Sequence, residues 1–301
     1  MNQSGFFVER LAIVGVGLIG GSLARALRQA GAVGEIVGSG RSVDTLQRAQ
    51  SLGVIDRWTT DPAVAVADAQ IAILAAPVSA MAALFGQIKP ALKADCILSD
   101  VGSTKRSVLA DAKAVFGEIP PNLVPAHPIA GTERSGVEAS FAELFRDRRV
   151  ILTPVSETAT GAANTIEAMW VATGAQVTRM DAMHHDEVLA ATSHLPHLLA
   201  YALVDHLAAM EDRREIFAYA SGGFRDFTRI AGSSPEMWRD IACANGDALT
   251  AVLDGYLADL KQLRDAIASG DGARVLAVFQ RAKQARDRFI GLAGPVVKGG
   301  T

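Results

Sequence analysis

Three groups of residues in this chain have the types and spacing to do chemistry. In "AHPIAGTERSGV" (126–137) a histidine stands directly before a proline. Proline fixes its own φ and biases the preceding residue toward extended backbone, so His127 is held in one direction, as a proton acceptor must be. In "LAIVGVGLIGGSLARAL" (11–27) Gly15, Gly17 and Gly20 keep the G-x-G-x-x-G spacing. In "SGGFRDFTRIAGSSPEMWRDI" (221–241) Arg225, Asp226 and Arg229 fall on one helical turn, with Phe224, Phe227 and Ile230 as an apolar anchor.

The glycine spacing is informative because an apolar strand precedes it and an Ala/Leu-rich helix follows. Gly15 allows a tight turn, Gly17 lets backbone approach a pyrophosphate, and Gly20 lets the helix pack closely on the strand. Leu18 and Ile19, between the second and third glycines, complete a cradle at the helix N-terminus, where N–H groups and positive potential favour an anion. The following strand ends "GSGRS". Its one acidic residue, Glu35, lies at the start of the strand, away from the ribose end. Ser39, Arg41 and Ser42 can instead donate hydrogen bonds to a 2′-phosphate, so NADP is favoured and NAD admitted.

Three later strands end in residues that would face the same cleft, beyond the carboxyl edge of a sheet. Ala76-Pro77 makes a small, stiff turn suited to lying beside a nicotinamide. Gly102-Ser103-Thr104-Lys105 makes a flexible corner with two hydroxyls and a cation, and the third strand ends on His127. Each alone reads as turn chemistry; their common edge favours a site. In "SHLPH" His194 and His197 are three apart and hence neighbours on a helix, but no further ligand pattern accompanies them, so no metal is expected. His184, His185 and His206 read as surface or core histidines.

These residues need elements to hold them. Between residues 9 and 154 the apolar runs "RLAIVGV", "EIVGSG", "QIAILAAP", "CILSDV", "NLVPAH" and "RRVILTP" alternate with helical patterns such as "GGSLARALRQAG". Runs apolar on both faces that alternate with helices predict a parallel sheet covered on both sides, an α/β doubly wound Rossmann-type fold. A further helix and the strand "AQVTRMD" close this half. From Asp181, a candidate N-cap, the pattern turns helical. Leu249, Val252, Leu253, Tyr256, Leu260, Leu263 and Ile267 mark one buried face. The expected domains are 1–180, nucleotide-binding, and 181–301, all-α, with "GPVVKGGT" as a loose tail.

The chain of 301 residues carries a formal net charge of −3 and shows no basic stripe, which argues against nucleic acid as a partner. Its two cysteines, Cys96 and Cys243, read as buried free thiols in a reducing cytoplasm. The apolar stretches 11–24 and 69–88 are broken by glycines and by Pro77, so neither is expected to span or enter a membrane.

In order along the chain, "GVGLIGGS", "DVGSTK", "HPIAGTERSGV", "SHLPH" and "GGFRDFTRIAGSSPEMWRDI" resemble the prephenate/arogenate (cyclohexadienyl) dehydrogenase family of tyrosine biosynthesis, over residues 10–290. The resemblance implies oxidative decarboxylation of prephenate or arogenate with hydride transfer to NAD(P), and a homodimer formed through the helical half. It implies that His127 is the catalytic base and that Ser103 bonds near the substrate hydroxyl and orients that histidine. Arg229 would grip the ring carboxylate and His197 would lie on the substrate side, with Thr132, Glu133 and Trp238 in matching motif positions. The rival readings are another two-domain dehydrogenase of the 3-hydroxyacid or imine reductase type, and a nucleotide sensor without catalysis.

Overall fold

The computed structural model describes residues 5–132, 134–211 and 213–289. The chain opens as β1 (Val8–Val14), α1 (Leu18–Gln29), β2 (Val33–Ser39), α2 (Val43–Ser51), β3 (Arg57–Thr59) and α3 (Pro62–Val66). It continues with β4 (Ile71–Leu74), α4 (Met81–Ile88), β5 (Ile97–Asp100), α5 (Arg106–Phe116) and β6 (Leu123–Val124). The six strands pair in parallel in the order β3-β2-β1-β4-β5-β6. β1 and β4 are neighbours although a crossover separates them, so their carboxyl ends flank the switch point where such sheets bind ligands.

Burial on both faces explains the unbroken apolar runs. Leu11 and Ile13 of β1 pack with Leu23 and Leu27 of α1, whereas Ala12 and Val14 pack with Met81 and Phe85 of α4. Successive side chains of one strand thus feed opposite cores. β3 and α3 lack a pattern of their own: β3 is three residues long, and Asp61 with Pro62 starts α3 as N-cap and first-turn proline.

"NLVPAH" is two strands rather than one. Pro125 has no N–H to donate, so the parallel ladder ends at Val124. The chain then enters a second sheet with β7 (Ala126–Pro128), β8 (Arg149–Leu152) and, after α6 (Thr160–Ala172), β9 (Gln176–Arg179). β7 runs antiparallel to β8 and β8 parallel to β9. "RRVILTP" and "AQVTRMD" therefore belong to this smaller sheet and not to the parallel one.

Asp181 caps α7 (Ala182–Leu189), its carboxylate accepting from the N–H groups of Met183 and His184. A π-turn at Ala190–His194 leads into α8 (Leu195–Ala208). Then come α9 (Arg213–Ala218), α10 (Gly222–Thr228), a 3-10 turn at Arg229–Gly232, α11 (Pro235–Ala244), α12 (Gly246–Ala268) and α13 (Gly272–Phe289). The chain divides into two compact units, residues 1–246 and 247–301. In the second, Gly270 makes the left-handed turn between α12 and α13, and Arg274 donates to Gln262 across it. The face expected to be buried along α12 is not: Leu249 is buried, but Tyr256, Leu260 and Ile267 are 38, 45 and 61 % exposed, beside exposed Leu276 and Phe279 of α13. The tail after Phe289 lies outside the described residues.

Both cysteines are free thiols. Cys96 is buried, and burial pushes its thiol up to about 11; Cys243, expected to be buried, is exposed on α11. No described helix is long and apolar enough to cross a membrane.

Candidate active site

The turn after β1 is built around its glycines. Gly15 has φ +102, and a Cβ there would lie 2.1 Å from the Ala75 carbonyl oxygen. A Cβ at Gly20 would lie 2.2 Å from the Gly15 oxygen. Only glycine permits either position. Gly17, the N-cap of α1, is different: a Cβ would meet nothing within 4 Å, and no side chain caps the helix. No acidic residue occupies the first turn, so the free N–H groups face open space at the positive end of the helix. Leu18 and Ile19 pack their side chains against the core and offer only backbone to that space. This cradle fits a dinucleotide pyrophosphate.

The Gly15 N–H donates to the Ser39 carbonyl, 2.7 Å, which ties the loop to the end of β2. The Ser39 hydroxyl is buried there without a partner, a donor awaiting an acceptor. Arg41 is exposed beside it. Ser42 is already engaged as the N-cap of α2, accepting from the Thr45 N–H. Glu35 is ion-paired with Arg10 and Arg57, and the Arg57 bond foremost holds its carboxyl below the usual range despite partial burial. On the neighbouring strand the Ala75 N–H donates to the Val14 carbonyl, and Ala76 and exposed Pro77 follow directly.

His127 lies within β7, opposite Ile151 of β8, and the next N–H along, that of Ile129, donates to Arg149. Strand pairing together with Pro128 fixes it. Gly131, in the loop that follows, lacks the left-handed backbone that would require a glycine. Burial, and next the adjacent His185, hold the His127 imidazole well below the usual histidine range, so it is neutral near pH 7. Its Nδ1 lies 2.9 Å from Nε2 of His185, whose Nδ1 lies 2.7 Å from Oδ1 of Asp186.

The corner after β5 is pinned, not flexible. Lys105 is fully buried, ion-paired with Asp100, and donates to the Ala126 carbonyl at 2.7 Å. Asp100 accepts from the N–H groups of Gly102 and Ala126. Ser103 sits half-buried in this corner, and the ring nitrogen that meets Nδ1 of His127 belongs to His185. Thr132 is exposed and closes a local turn with the N–H of Arg134; Glu133 lies outside the described residues.

The helical segment supplies the remaining residues. Trp238 of α11 stacks on His197 of α8, ring centroids 3.6 Å apart, and meets His194 edge-on at 6.1 Å. Burial, and then the neighbouring Arg229 charge, act to lower the titration of His197, against a bond to the Ser193 carbonyl. His194 is buried; its Nδ1 faces the Asn245 amide nitrogen at 3.1 Å, which assigns its proton to Nε2. That Nε2 and Nε1 of Trp238 are buried without partners. Among the predicted residues, the structure therefore joins His197, Trp238 and Arg229 on one side. His194 links this group to His127 through Asn245, whose amide also donates to the carbonyl of Asp186, next to the His185 that meets His127. Ser79, just after Pro77, donates to Asp240 of α11 and brings the β4 corner to the same helix.

In the sequence His185 reads as an ordinary core or surface histidine, and no pattern marks Asp186, Asn245 or Asp240. The "HHD" run that begins three residues after the capping Asp181 is the available signal. It was silent on tertiary placement, because Asp186 accepts from the Lys105 and Arg106 N–H groups, 81 and 80 residues away.

Comparison with known proteins bears on this geometry. Residues 23–179 match the family described as prephenate dehydrogenase, nucleotide-binding domain, and residues 181–281 match prephenate dehydrogenase, dimerization domain. The cyclohexadienyl dehydrogenase of Zymomonas mobilis is 43 % identical over 281 residues, covering 92 % of this chain and 95 % of that protein. The crystal structure of prephenate dehydrogenase from Aquifex aeolicus in complex with hydroxyphenyl propionate and NAD+ superposes with a TM-score of 0.88 at 34 % identity, covering 95 % of this chain and 99 % of that one. Synechocystis arogenate dehydrogenase gives 0.78 at 27 % identity over 93 % and 99 %.

Proposed function

Because the chain belongs to the prephenate dehydrogenase family, we propose that it is an NAD(P)-dependent dehydrogenase that oxidatively decarboxylates prephenate, arogenate or both in tyrosine biosynthesis. The observation that carries the mechanism is His127, an imidazole kept neutral by burial and fixed on a paired strand. Its Nε2 accepts the proton of the ring hydroxyl as the hydroxyl-bearing carbon becomes a carbonyl, a role worth about 10²–10⁴ in rate. Loss of the ring carboxylate as carbon dioxide then sends an electron pair into the ring and leaves an aromatic phenolate, which recovers a proton. A bound oxidised nicotinamide supplies the hydride acceptor.

Arg229 holds the ring carboxylate through its forked guanidinium, and Trp238 fixes His197 beside it by stacking. The two unpartnered donors, Nε2 of His194 and Nε1 of Trp238, suit the oxygen acceptors of such a substrate. Ser103 offers a hydroxyl from the corner next to Ala126 and His127. Thr132, in the loop after β7, and Glu133 keep the motif positions that the family resemblance implies for substrate binding.

The nucleotide is held by Gly15, Gly17, Leu18, Ile19 and Gly20, with Ala76 and Pro77 beside the nicotinamide. Ser39 and Arg41 at the ribose end, with the Glu35 carboxylate tied to Arg10 and Arg57 toward the start of β2, favour NADP while admitting NAD. Ser42 contributes through the start of α2. The exposed apolar residues of α12 and α13 support a homodimer through the helical half, with the functional division near residue 180. Two free thiols suit a reducing cytoplasm.

The test combines purified protein, prephenate or arogenate, and NAD+ or NADP+, following reduced nicotinamide by absorbance. Turnover with at least one pair is expected, faster with NADP+. No turnover with any pair would remove the assignment.

A further inference from the structure

The row Asp186–His185–His127 joins the start of α5 to β7, and all three side chains are buried. Asp186 accepts at Oδ1 from the Lys105 N–H, 2.8 Å, and at Oδ2 from the Arg106 N–H, 3.0 Å. Burial alone would raise its carboxyl. The hydrogen bond from His185 and those two backbone donors outweigh this and keep it below the ordinary range. An ionised Asp186 has only lone pairs to offer, so Nδ1 of His185 must be the donor across their 2.7 Å contact. In neutral His185 the proton then sits on Nδ1 and the lone pair on Nε2. Across 2.9 Å, that lone pair can only accept, from Nδ1–H of His127. The lone pair left on His127 is at Nε2.

We infer that His185 and Asp186 are positioning residues that fix the tautomer and direction of His127, so that its Nε2 is the unprotonated, substrate-facing nitrogen. This rests on the reading of His127 as the base. When Nε2 takes the hydroxyl proton, the substrate O–H bond breaks and one N–H bond forms. The positive charge created on His127 is then met through the His185 ring by the Asp186 carboxylate, which stays ionised. The other charged groups around the row are accounted for: Lys105 is matched by Asp100, and His194 is held neutral, lowered to about 4 mainly by burial. The inference is independent of the Ser103 hydroxyl, which the family resemblance names for the orienting role.

Two substitutions separate orientation from packing. In His185→Gln the amide oxygen can stand where Nε2 stood and accept from His127; in His185→Phe nothing can. The expected result is a fall in kcat of at least about 10-fold for His185→Phe, with nucleotide affinity and KM within twofold of wild type. His185→Gln is expected to recover most of that loss. In the His127→Asn background, His185→Phe is expected to cost nothing further, since it acts only through His127. The ¹⁵N shifts of the His127 ring, read on the wild-type protein, are expected to show a protonated Nδ1 and a bare Nε2. A proton on Nε2 in the resting enzyme overturns the inference without any variant. So does equal loss in the Gln and Phe variants, or wild-type kcat in His185→Phe. If His127→Asn itself keeps full turnover, it is the base assignment that fails. An inactive His127→Asn beside a fully active His185→Phe leaves the base in place and removes only the row behind it.

Discussion

At the scale of single residues, the site depends on imidazoles that burial keeps uncharged and on one guanidinium. His127→Asn is expected to lose at least about 100-fold in kcat while binding nucleotide normally, measured by steady-state rates beside a nucleotide titration. Arg229→Ala is expected to raise KM about 10- to 100-fold, the loss of a charged hydrogen bond worth roughly 1.5–3 kcal/mol, with a smaller change in kcat; an unchanged KM would remove Arg229 from the substrate site. Burial also ties stability to pH. His194 titrates near 4 in the fold against 6.5 unfolded, so below pH 6.5 the unfolded chain binds more protons. Stability is thus full above pH 6.5 and drains away as the pH falls toward 4, by about 2 kcal/mol between pH 7 and pH 5 from this group alone. His127 and His197 act in the same direction. Thermal melts at the two pH values check it, and His194→Gln is expected to flatten the dependence.

At the scale of elements, the glycine loop separates folding from binding. Gly15→Ala forces a Cβ onto the Ala75 carbonyl from a left-handed backbone and is expected to destabilise the fold by several kcal/mol. Gly17→Ala meets open space and is expected to melt within a degree or two of wild type while losing nucleotide affinity, read by calorimetry. Equal melting losses for both would mean that the Gly17 space is structural. The loop, the alternation of strand and helix, the Asp181 cap and the position of His127 were legible in sequence because each is a local pattern: a spacing, a period, a proline. The break at Pro125 is a single residue without an N–H inside a run that reads as one strand, and nothing local shows that it transfers the chain between sheets. What local pattern could not show is partnership across the fold. Asp186 reads as one acid in a helix, and only folding brings it to the start of α5 and sets His185 against His127.

At the scale of the whole molecule, the residues expected to be buried along α12 leave a row of apolar side chains exposed, as a subunit contact would use. Analytical ultracentrifugation is expected to give twice the chain mass, and Ile267→Glu with Phe279→Glu to give the single chain. A wild-type monomer at working concentration would leave the apolar face unexplained and remove the dimer. The turn from the parallel sheet to the small one carries a different implication. Ala126 gives its N–H to Asp100 and receives Lys105 at its carbonyl, so both backbone groups of the residue before the reactive imidazole end on one buried ammonium–carboxylate knot. Loss of either charge strands the other without water. Descendants of this chain can vary its rim freely, but they can exchange that knot only by changing both members in a single evolutionary step.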